Sequence, residues 1–115
     1  MNKQKLLKQL ETIFDRCSAV DWDGYQGLPL TEEVMKQARF IITHLPESLS
    51  VPLLIPIADG SVEFEWRNEK NVCILATAHD NEYIFVASPK SRSQTIQEHE
   101  LVYKVFPMLQ EYFGR

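Results

Sequence analysis

The sequence predicts an α+β domain in the order ααββββα: a four-stranded antiparallel meander with two N-terminal helices and one C-terminal helix. Three observations carry this expectation. Apolar residues recur at helical spacing at both ends of the chain, the period drops to two in the middle, and short turn-forming stretches separate the period-two segments. The 115 residues fit one domain, 1–115, long enough to bury a core without disulfide or metal staples.

The first helix is read over residues 3–17, where Leu6, Leu10, Ile13, Phe14 and Cys17 fall on one face with lysines and glutamines between them. A second helix starts after Pro29, with Thr31 as its cap and Glu32 and Glu33 against the positive end of its dipole. Val34, Ala38, Ile41, Ile42 and Leu45 form its apolar stripe, and Pro46 ends it by excluding Leu45 from the helical region. The segment "VPLLIPI" reads as an edge or irregular strand, because Pro52 and Pro56 cannot donate to a ladder. In "SVEFEWR", Val62, Phe64 and Trp66 alternate strictly with Glu63, Glu65 and Arg67. The stretches "VCILATA" and "EYIFVAS" supply the third and fourth strands. The tail returns to helical spacing through Leu101, Val105, Leu109 and Phe113, and Pro107 is expected to kink or split that helix.

An apolar fraction of 44% and a charged fraction of 24% are those of an ordinary folded domain. The net charge of −4 argues against an extended phosphate-binding surface, and Lys3, Lys5 and Lys8 read as a solvated helix face, so no nucleic-acid partner is expected. The N-terminus is too polar for a signal peptide and no stretch is apolar enough to span a bilayer, which points to no membrane partner and a cytoplasmic location. Cys17 and Cys73 lie in apolar patterns far apart and read as reduced core thiols. No cofactor and no metal are expected.

The densest cluster of unusual residues is "AVDWDGYQGLPLTEE". Asp21, Asp23 and Glu32 stand at calcium-loop spacing, but Tyr25 occupies the place of a third oxygen ligand and Gln26 that of the turn glycine. The loop reads instead as a structural corner: Trp22 and Tyr25 anchor it on the sheet, Asp23 bonds nearby amides, and Gly24 takes a conformation other residues resist. Trp22, Asp23, Gly24, Tyr25 and Gly27, with Leu45 and Pro46 and then Asp59, Gly60, Phe64, Glu65 and Trp66, resemble a family of small, mostly uncharacterised bacterial proteins. That family shares a WDGYG loop, an LP after the next helix and a DG…LEW hairpin. Gln26 stands where the family has glycine and Phe64 where it has leucine. The resemblance implies a fold and no activity.

No catalytic constellation is legible. His44, His79 and His99 fall in unrelated places, and Ser88, Ser91 and Ser93 lie in a polar connection with Lys90 and Arg92 but no glycine-rich cradle. The third and fourth strands are apolar on both faces, with Val72, Ile74 and Ala76 opposite Cys73 and Leu75, and Tyr83 and Phe85 opposite Ile84 and Val86. A sheet covered on one side only alternates more cleanly, so either the final helix crosses to the second face or another chain covers it. The expectation is a non-enzymatic binding module contacting a protein partner or a second copy of itself through Leu75, Ile84 and Val86. A small acidic protein of this kind suits neutralisation of another protein, as an antitoxin or immunity factor does. The alternative is a small enzyme or ligand-binding protein in which Asp21, Asp23, Glu63, Glu65 and His79 gather in an acidic cleft.

Overall fold

The computed structural model describes the chain except for residues 20, 21, 23, 25, 26, 89–92 and 115, and for Ser88 it describes the backbone alone. Helix α1, Lys3–Arg16, opens on Asn2, whose side-chain oxygen accepts from the Lys5 N–H at 3.0 Å, and buries Leu6 and Leu10. Helix α2, Glu32–His44, opens as its sequence dictates: the Thr31 hydroxyl accepts from the Val34 N–H at 3.3 Å. It stops where Leu45 turns extended (φ −60°, ψ 139°), the conformation a following proline requires.

The sheet has five strands rather than four, in the order β1-β2-β3-β4-β5, every neighbouring pair antiparallel. They are β1 (Leu53–Pro56), β2 (Val62–Arg67), β3 (Val72–Thr77), β4 (Tyr83–Ser88) and β5 (Gln94–Ile96). The additional strand arises within a stretch that reads as a connection, because it is three residues long and two of them, Gln94 and Thr95, are polar and exposed. It forms because Ile96 pairs with Tyr83 and carries its side chain into the core. The three turns from β1 to β4 are closed by side-chain or left-handed chemistry suited to each. Gly60 takes φ +89° between β1 and β2, the Asn68 side chain accepts from the Lys70 and Asn71 N–H groups between β2 and β3, and Asp80 and Asn81 take φ near +60° between β3 and β4.

The C-terminal helical run, 98–113, is named α3. It begins as an α-turn at Glu98–Glu100, widens to a π-helix over Leu101–Val105 and closes as an α-helix over Phe106–Phe113. The expected kink at Pro107 is thus absorbed by widening. Proline offers no N–H and crowds the carbonyl a turn earlier, and the preceding turn answers with a five-residue hydrogen bond from the Phe106 N–H to the Leu101 oxygen. The end of α3 is tied down by Ser50, whose N–H and hydroxyl both donate to the Phe113 oxygen, and by Asn68, whose amide donates to the Tyr112 oxygen.

All three helices contribute to one core against one face of the sheet. That face carries Val62, Phe64, Trp66, Cys73, Leu75, Tyr83 and Phe85, and it meets Leu6 and Leu10 of α1, Met35, Ala38, Ile41 and Ile42 of α2, and Leu101, Val105, Phe106, Leu109 and Phe113 of α3. Phe64 and Trp66 stack with ring centroids 6.4 Å apart, and the Trp66 indole N–H donates to the Ser50 oxygen at 2.9 Å, so the largest core side chain is buried with its polar atom satisfied. Trp22 packs on the rim of this core and donates to the Leu28 oxygen at 2.7 Å, as an anchor of the corner does. Tyr25 and Asp23 lie outside the described residues.

Candidate interaction face and acidic cleft

Because side chains alternate along a strand, the register places every second residue of β1 to β4 on the face away from the helices. Two rungs run straight across four strands. Leu53, Glu65, Ile74 and Val86 form one, and Ile55, Glu63, Ala76 and Ile84 form the other. Val72, beside Arg67 on β2, extends the patch at one end. The apolar members other than Leu53 are half-buried and stand outside the core, while Leu53 and nearby Val51 are 64% and 54% exposed. The C-terminal helix does not cover this surface, since its buried residues belong to the core on the opposite side.

The register corrects one expected contact residue. Leu75 faces the core with 0% of its surface exposed, paired with Phe64 and Phe85, whereas Ile84 and Val86 face outward. Their neighbours on β3 are Ala76 and Ile74, and Ile74 takes the place of Leu75 in the patch. The sequence shows that the strand is apolar on both sides. Which side faces out follows from the pairing with β2, whose charged face is Glu63, Glu65 and Arg67.

Glu65 and Arg67 are bonded at 2.7 Å across this face, and Glu65 is only 13% exposed at its side chain, so its charge is compensated where it is least hydrated. Glu63 has no such cation among the described residues. Its burial, followed by the nearby negative charges of Asp59 and Glu65, holds its carboxyl above the ordinary glutamate value of 4.5.

Glu63 also lines a cleft of about 310 Å³ at the end of the sheet, between the β1–β2 turn and the β3–β4 turn. Asp59, Ser61 and His79 share that cleft, and Ala76, Ile84 and Val34 supply its apolar wall. A second hollow, of about 290 Å³, continues it past Asp59, Gly60 and His79 toward Thr31 and Gln37 of the α2 end. The Asp59 Oδ1 accepts from the N–H of Ser61 at 2.9 Å and from its hydroxyl, which holds the turn that carries the carboxylate. Gln37 is 4% exposed; its Nε2 donates to the Glu82 oxygen at 2.8 Å, while its Oε1 has no hydrogen-bond partner. That oxygen is sealed from solvent, and the side chain packs beside the buried Tyr83 of β4.

Of the five groups expected in an acidic cleft, Glu63 and His79 do meet, and Glu65 lies on the adjoining sheet face without lining the cleft. Asp21 and Asp23 lie outside the described residues. Asp59, Ser61 and Gln37 complete the site and escape a reading of the sequence: Asp59 passes for a turn former, and Gln37 sits at a helix position that only the packing buries. The other histidines are elsewhere, His44 stacked on Phe40 at 4.1 Å and His99 exposed. Among the described residues no three His, Cys, Asp or Glu side chains converge closely enough to hold a metal ion. Cys17 and Cys73 are buried, and burial pushes the Cys73 thiol up, which lowers its thiolate content and its reactivity. No helix among the described residues is long and apolar enough to cross a membrane. No protein-family model, curated protein or solved structure matches the chain.

Proposed function

We propose that this protein is a non-enzymatic binding module whose contact surface is the outer face of the sheet, centred on Ile74, Ala76, Ile84 and Val86. The observation that supports this reading is the two-rung apolar patch standing outside the core on a sheet whose helices all lie on the other side. A contiguous apolar surface rimmed by charged residues is the composition of a protein contact, because the centre gains from dehydration and the rim keeps the free protein hydrated. An acidic chain that covers a surface on another protein, in the manner of an antitoxin or immunity factor, fits the patch and the net charge of −4.

The test is affinity capture from the source cell with Ile74→Lys and Val86→Lys as paired controls. The native chain is expected to retain one stoichiometric protein that both variants lose while keeping a native circular-dichroism spectrum. Equal capture by folded variants, or no stoichiometric protein at all, overturns the proposal.

A further inference from the structure

We infer that the partner anchors itself by a lysine or arginine side chain inserted into the cleft beside the patch. The inference rests on the sheet face being the contact surface and names the chemistry that recognises the partner. Ala76 and Ile84 belong to both features, since they end one rung of the patch and also wall the cleft that holds Asp59 and Glu63. A chain lying on the apolar rungs therefore reaches the carboxylates without leaving the surface.

The cleft offers acceptors in excess of donors. Asp59 and Glu63 are both carboxylates, and no cation pairs with Glu63 among the described residues. A guanidinium or ammonium group brings several N–H donors and a positive charge to such a place, and its methylene stem suits the walls made by Val34, Ala76 and Ile84. Asp59 is already held by Ser61, so the site is built before the cation arrives. Charge also argues against a second copy of this chain as the occupant. Two copies related by a twofold axis through this face bring two sets of Asp59 and Glu63 into one interface, between molecules that each carry −4.

The experiment uses ¹⁵N-labelled protein titrated with two acetylated, amidated tripeptides, Leu-Arg-Leu and Leu-Gln-Leu, at millimolar concentration. The arginine peptide is expected to shift amides of residues 59–63 and 76–84 saturably, with at least about tenfold tighter binding than the glutamine peptide. The double variant Asp59→Asn/Glu63→Gln is expected to erase that preference. Asp59→Asn keeps the oxygen that accepts from Ser61, and Glu63→Gln removes a charge that burial disfavours, so a folded spectrum is expected from the variant. Equal affinity for both peptides, shifts that map to α1 instead, or a preference that survives in the double variant overturns the cationic anchor and leaves the contact face standing. Self-association through the face, lost in Ile74→Lys, overturns the inference by making a second copy the occupant. If neither peptide shifts any amide, the cationic anchor is refuted, and the capture experiment with Ile74→Lys and Val86→Lys decides the contact face separately.

Discussion

The two faces of β3 and β4 are made of the same kinds of residue and live in different environments. Leu75 and Phe85 are sealed under three helices, while Ile74 and Val86, one position away on each strand, are half-buried and stand outside the core. Residue identity therefore does not decide burial in these strands. What decides it is β2, whose outer face is Glu63, Glu65 and Arg67: only its Val62, Phe64 and Trp66 side can accept a covering of helices, and the hydrogen-bonded register carries that choice across to β3 and β4.

Inverting the two faces with one substituent is the strongest way to break this comparison. Leu75→Lys buries an unpaired ammonium in the core and is expected to cost more than about 4 kcal/mol, enough to unfold the chain. Ile74→Lys places the same group on the outer face and is expected to change stability by about 1 kcal/mol or less. Urea denaturation of the two variants measures both, and similar losses would mean that the outer face is part of a core.

Trp66→Ala tests the core face from its largest member. Its cavity is expected to cost about 3 to 5 kcal/mol, because Phe64, stacked on it, and the rest of the core fill such a volume poorly. The readout is the denaturant midpoint, and an unchanged midpoint would remove Trp66 from the core.

The smallest expected effect sharpens the comparison from the outer face. Glu63 keeps its proton to a higher pH in the native chain than in the unfolded chain, where it titrates near 4.5. Just above that value the native state binds more protons, so the Glu63 contribution to stability is full at lower pH and is lost as pH rises through the native value. Glu63→Gln is expected to flatten that part of the stability profile and to stabilise the protein at neutral pH by about 0.5 kcal/mol or less. A variant less stable than the parent at pH 7 would show a favourable partner for the charge within the chain.

The helix starts, the phase of β2 and the turns from β1 to β4 needed no tertiary information, because each follows from local sterics and hydrogen bonding. Thr31 caps α2, Pro46 ends it, and the alternation in "SVEFEWR" separates Phe64 and Trp66 from Glu63 and Glu65 before any partner strand is known. The fifth strand was not legible, since Gln94 and Thr95 have no period of their own and pair only because β4 presents an edge. Nor was the candidate site. Asp59 and His79 are twenty residues apart and meet only because two hairpin turns stack at the same end of the sheet, and Gln37 is buried by what packs over it rather than by its place on α2. Above all, a strand apolar on both sides does not specify its inward face. The choice of Leu75 for the core and Ile74 for the surface is a property of the β2–β3 register, which is a nonlocal pairing and exists only in the folded sheet.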